Sequence, residues 1–185
     1  MQVKDLVKEV ANFLQLTNVL DVDFDDSEEM AAIDSVIQRD IDLIVKCLNQ
    51  VLTRIATEEI ELLKIETINV SNGQFDLDGL DEQFCKIKRL GDNKKFKVVG
   101  TKLIAEDGEY ELLYSYIPEE IDFDDDIEIY QNLSKYVLIY GICSEFLMIM
   151  GDFSQSEIYE SKFEVAIESV KRDLKVVNPK QRRWR

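Results

Sequence analysis

The chain has 185 residues, with 38 acidic against 22 basic side chains and a formal net charge of -16 at pH 7. That balance argues against a body that grips nucleic acid or an anionic membrane, because the summed field repels phosphate. The absence of histidine removes the commonest general base, the usual metal ligand and any Ser-His or Cys-His nucleophile pair. A hydrophobic content of 45% is enough for a proper core and for one or two small domains, so wholesale disorder is not expected.

The N-terminal stretch is amphipathic and charged, so no signal peptide is expected, and no apolar run approaches the ~20 residues of a membrane span. The three cysteines, Cys47, Cys85 and Cys143, are far apart and sit in apolar patterns. They are expected to be reduced core residues.

Val3, Leu6, Val7, Val10, Phe13 and Leu14 predict a short first helix closing near Gln15 to Asn18. The acidic linker from Asp21 follows, and Asp25 or Asp26 can cap a second, long helix. Met30, Ile33, Ile37, Ile41, Ile44, Leu48, Leu52 and Ile55 recur at helical steps up to Thr57. At Glu58 the period changes. Branched residues from Ile60 to Val70 predict a strand, and Asn72-Gly73 a hairpin turn, since both residues accept positive φ. Further alternating runs end at Tyr110, Tyr114 and Tyr116, which share one strand face. They make about six short antiparallel strands, a small sandwich or open barrel. The tyrosine face reads as sheet packing with hydroxyls at the rim.

A second acidic linker, Glu119 to Glu128, leads into the last third. Leu133, Val137, Tyr140, Phe146 and Met150 mark a helix ended by Gly151-Asp152. Ser154 with Glu157 reads as a capping box starting the next helix, whose stripe is Tyr159, Phe163, Ile167, Val170 and Leu174. The fold class expected is therefore α+β. Residues 1–57 and 126–177 are expected to form one bundle of four helices, residues 58–118 an inserted antiparallel β-module, and residues 178–185 an extended tail.

That tail is the sharpest feature. Lys180, Arg182, Arg183 and Arg185 surround Trp184 at the end of an acidic chain. Arginine and tryptophan are the residue types most enriched at binding hot spots, so docking onto a partner is favoured over a frayed end. Asp21-x-Asp23-x-Asp25 and Asp122-x-Asp124-x-Asp126 look like calcium loops. Both lack the required Gly at the sixth position and Glu at the twelfth, so they are expected to be solvated linkers. No catalytic residue, cofactor site or metal site is expected.

The order of elements resembles the head-to-tail connector, or adaptor, proteins of tailed bacteriophages. Four features carry the resemblance: the two N-terminal helices before a β-module; the closing strand Tyr114-Ser-Tyr-Ile-Pro118; the mid-helix Tyr140-Gly141 with Gly151-Asp152 at the helix end; and the run Ser156 to Phe163 leading to a basic tail. The resemblance implies a structural protein of the virion neck, made in the host cytoplasm. It implies a homo-oligomeric ring, commonly of twelve subunits, beneath the portal protein. Tail or stopper proteins would bind the other face, and genomic DNA would pass transiently through the lumen. By position, Lys180 to Arg185 would dock on the portal. A negative lumen would let DNA pass without sticking. The alternative is a soluble, non-catalytic binding module whose basic tail contacts nucleic acid or an acidic protein.

Overall fold

The computed structural model describes residues 1–127 and 133–174. The chain is α+β, with helices at both ends of the described sequence and six strands between them. It divides into two compact units. One holds residues 1–48 together with the described residues from Asp122 onward; the other holds residues 49–121.

In the first unit, helix α1 (Val3–Leu14) buries Val3, Leu6, Val7, Val10 and Ala11 and ends at Gln15, whose φ of 59° closes it in the left-handed conformation. A short helix α2 (Thr17–Leu20) follows. The expected single long second helix is broken. Asp26 caps a short α3 (Ser27–Ala31) by accepting from the amides of Glu28 and Glu29. The chain then leaves helical geometry, and α4 (Ser35–Arg54) starts afresh. Asp34 explains the restart, since its carboxylate accepts from Val36 N–H at 2.9 Å. An aspartate is stable outside a helix for this reason: its side chain offers the backbone a competing acceptor. The apolar steps from Met30 through Ile37 continue in sequence without continuing in structure.

Helix α5 (Lys135–Met150) buries Val137, Leu138, Ile139, Gly141, Ile142, Cys143, Ser144 and Phe146, and ends at Gly151 with φ 84°. It packs against α1 and against α6 (Phe153–Leu174). Phe163 and Ile167 of α6 are buried, and the side chain of Leu174 lies outside the described residues. The expected capping box is not what starts α6. Asp152 accepts from Gln155 N–H at 3.2 Å, and Ser154 lies within the helix. Aspartate caps at least as well as serine, and Gly151 places it one residue after the α5 terminus.

The second unit contains the last turn and a half of α4, a π-helical turn (Ile55–Glu59) and all six strands. The strands are β1 (Leu62–Val70), β2 (Gln74–Asp76), β3 (Gln83–Leu90), β4 (Lys97–Val99), β5 (Lys102–Ile104) and β6 (Gly108–Ile117). They form two antiparallel sheets, in the orders β1-β6-β3 and β2-β5-β4. Asn72 and Gly73 turn with φ 54° and 74°, a type I′ hairpin bend. The strands it joins then part: β1 pairs with β6, and β2 crosses to β5. Ile68, Val70, Leu77, Leu90, Leu103, Leu112 and Tyr114 make the core of this unit. Asn49 and Ile121, at its two ends, are tied by a double hydrogen bond. The Asn49 amide donates to the Ile121 carbonyl at 3.0 Å and accepts from its N–H at 2.9 Å.

Candidate functional site

The docking tail expected from the sequence, Lys180, Arg182, Arg183, Trp184 and Arg185, lies outside the described residues. What is described is the helical hairpin that precedes it. α5 is apolar on nearly every side, so one side cannot be enough to hide it. At its C-terminal corner Met148, Ile149, Met150 and Phe153 stay exposed, Phe153 at 69% of its surface. Four large apolar side chains within six residues, on a protein with 32% charged residues, form a patch suited to protein contact.

The buried seam of this hairpin is polar at one point. Ser156 Oγ donates to the Ser144 carbonyl at 2.9 Å, and Ser144 Oγ contacts Glu160 at 3.1 Å. Every buried side-chain polar atom among the described residues has a partner. Small hydroxyls at this crossing fix the hairpin register without leaving an unsatisfied group. Near its other end, Tyr140 stacks on Tyr136, lies edge-on to Phe13 and sits beside Tyr159, while Lys162 stands 4.7 Å above the Tyr159 ring. Tyr159 donates to the Phe13 carbonyl, and burial pushes its hydroxyl above the usual tyrosine range.

The acidic runs are used by the protein itself. Asp26 caps α3, Asp23 accepts from Asp25 N–H, and Asp122 N–H is held by the Asp125 carboxylate. Lys4 pairs with Asp124 at 2.8 Å and lies over Phe123, while Lys8 lies over Phe24. Phe24 and Phe123 meet edge to face at 5.1 Å, and the backbones of Met1 and Val3 bond to Ile127 and Asp125. The two linkers are thus clamped to α1. Among the described residues no group of three or more His, Cys, Asp or Glu is placed to hold a metal ion.

In the strand unit the tyrosine face is deeper than a rim. Tyr114 is fully buried, and its hydroxyl donates to Glu66 at 2.9 Å. Burial first, then the Glu66 hydrogen bond and charge, push this phenol to about 12. Lys64 bridges Asp81 and Glu82 beside it. A cleft of about 420 Å³ opens nearby, lined by Asp78, Asp81, Glu82, Phe84 and Thr101 among others. Its acidic wall repels anionic ligands.

The cysteines differ from the expectation in one case. Cys47 and Cys143 are buried, but Cys85 is exposed on β3, next to a register shift against β6. The irregularity turns an alternating position outward. Burial raises both buried thiols to about 12, which leaves them protonated and unreactive at neutral pH.

Sequence reasoning missed the exposed corner of α5. The sequence marks this stretch as apolar, and only the ends of α1 and α6 decide which part remains uncovered. No helix among the described residues is long and apolar enough to cross a membrane. No protein-family model matches the chain, and no curated protein matches it.

Proposed function

We propose that this chain is a structural virion protein, a ring-forming head-to-tail adaptor. It binds beneath a portal protein, joins capsid to tail and lines the DNA channel. Its partners are the portal, tail or stopper proteins, and further copies of itself in a ring, commonly of twelve. Within each copy, α1, α4, α5 and α6 form one four-helix bundle, and the tail from Lys180 to Arg185 is the portal-docking segment.

One observation supports the reading: helices from both ends of the described sequence fall in one unit, and the two-sheet unit is inserted between them along the chain. That is the order expected of an adaptor. The exposed corner of Met148, Ile149, Met150 and Phe153 supports it by offering an apolar surface for a neighbouring protein. The net charge of -16 supports a channel that duplex DNA crosses without adhering. The opposite sign of the tail suits an acidic socket, with Trp184 as its apolar anchor.

Sedimentation velocity of the chain mixed with the portal protein encoded in the same genome tests this. The full chain is expected to run with the portal as one large complex, and a chain lacking residues 179–185 is expected to run free. Absence of any complex with the full chain overturns the adaptor reading. A complex unchanged by the truncation overturns the role given to the tail.

A further inference from the structure

Between Lys86 and Lys102 the chain reverses its sign. Seven cations lie there against one acid, Asp92, in a protein with 38 acidic side chains. Lys88 pairs with Glu61, and Lys102 donates to Gln74 at 3.4 Å. Lys86, Arg89, Lys94, Lys95 and Lys97 are exposed and make no ion pair among the described residues. Part of this strip is one sheet face. β4 and β5 set Lys97 opposite Ile104 and Val99 opposite Lys102. Alternation puts these four on one side of the sheet, while Leu103 turns to the core. Val99 and Ile104 are 51% and 43% exposed. Across from Lys102, Asp76 of β2 is turned to its own backbone, where it accepts Asp78 N–H. Lysine on an edge strand by itself keeps other strands away. Exposed aliphatics between the lysines suit the face to a partner that is both acidic and apolar.

The chain carries such a surface itself. From Tyr136 to Ser161 there are four acids and no basic residue. Met148, Ile149, Met150 and Phe153 are exposed at the corner between α5 and α6, and Asp152 is exposed among them. Glu157, also exposed, follows Phe153 by one turn of α6. The next cation along α6, Lys162, lies over the rings of Tyr140 and Tyr159. Two basic strips repel each other, and so do two acidic corners. A strip attracts a corner.

We propose that the β4–β5 face of one copy docks on the α5–α6 corner of a second copy. Val99 and Ile104 lie against Met150 and Phe153, and Lys95 and Lys97 face Asp152 and Glu157. The two surfaces are different, so each copy added leaves one of each free for the next. Such a head-to-tail contact is the kind from which rings close. The inference rests on the proposed ring and deepens it by naming its two surfaces. At physiological ionic strength fields fade within about 8 Å. The patches in contact, rather than the net charge of -16, therefore decide whether two copies hold.

Disulfide trapping of free copies tests it, since oxidation accumulates even a weak contact. All chains carry Cys85→Ser. A Val99→Cys chain is mixed with a Met150→Cys chain of different length, and separately with a Val36→Cys chain, whose site on α4 is 50% exposed and also stands beside an acid, Asp34. Under mild oxidation the mixed dimer with Met150→Cys is expected to form severalfold faster than the mixed dimer with Val36→Cys. It is also expected to outrun both like-with-like dimers in its own mixture. Adding Lys95→Glu and Lys97→Glu to the Val99→Cys chain is expected to remove that advantage. Equal rates for the two mixed dimers, or a rate unmoved by the two glutamates, overturn the proposal. The same two glutamates are tested against a fluorescent single-stranded oligonucleotide. Binding that they abolish, with the trapping rate unmoved, assigns the strip to nucleic acid and overturns the contact between copies. No portal is present, so failure here is separable from failure to bind one.

Discussion

Replacing Tyr114 by Phe isolates one buried hydrogen bond in the strand unit. The ring is fully enclosed, and its hydroxyl donates to the Glu66 carboxylate at 2.9 Å. A hydrogen bond to a charged acceptor contributes about 1.5–3 kcal/mol. Glu66 is only partly buried, and the same oxygen accepts Asp81 N–H at 3.2 Å, so it is not stranded when the hydroxyl goes. The expected cost of Tyr114→Phe is therefore at the low end, about 1.5 kcal/mol. Tyr114→Ala removes the ring as well and costs about 3–5 kcal/mol, the range for emptying an aromatic site in a core. Glu66→Gln keeps an acceptor but loses its charge, a loss of about 0.5–1 kcal/mol. Urea unfolding at pH 7, followed by far-ultraviolet circular dichroism, reads all three as midpoint shifts at constant slope. A Tyr114→Phe protein as stable as its parent would refute the assignment of this bond. A Tyr114→Phe protein as unstable as Tyr114→Ala would show that the ring had lost its place.

The start of α6 gives a second outcome: Asp152→Ala should cost about 1 kcal/mol as a lost cap, while Ser154→Ala should change stability by less than about 0.5 kcal/mol, the reverse of the order a Ser154 capping box requires. The thiols give a third. In the native protein a chromogenic disulfide reagent should titrate Cys85 alone, and in denaturant all three cysteines. Both buried thiols are raised to about 12, first by burial. Below the unfolded thiol value both states keep the proton and the stabilisation is whole. As pH rises from there toward 12 the unfolded state loses its protons first, and stability should fall by up to about 1.4 kcal/mol per pH unit for each thiol. Cys143→Ala should make that alkaline decline shallower; an unchanged slope would contradict the assignment.

The strands were legible because β-branched runs and turn residues are local signals, and Asn72-Gly73 bends as those residues demand. Their pairing was not, because a tight turn specifies only its own two ends. β1 takes β6 as its partner from 38 or more residues away, as in Val70 against Gly108. The break before α4 was hidden for a different reason. Apolar spacing from Met30 onward is continuous, and one aspartate side chain at Asp34 decides where the backbone restarts. At the other corner Asp152 and Ser154 both have capping chemistry, and only the end of α5 at Gly151 puts Asp152 first in line. The exposed corner of α5 needed the packed structure. Periodicity tells which residues share a face, while the neighbours decide which face is covered.

The most direct test of the account is a cryo-electron reconstruction of the chain bound to the portal protein of its own genome. The account predicts a closed ring of copies beneath the portal, with Trp184 of each copy enclosed by portal residues and the acidic body lining the channel. A complex without ring symmetry, or a ring in which Trp184 stands in solvent away from the portal, would contradict it.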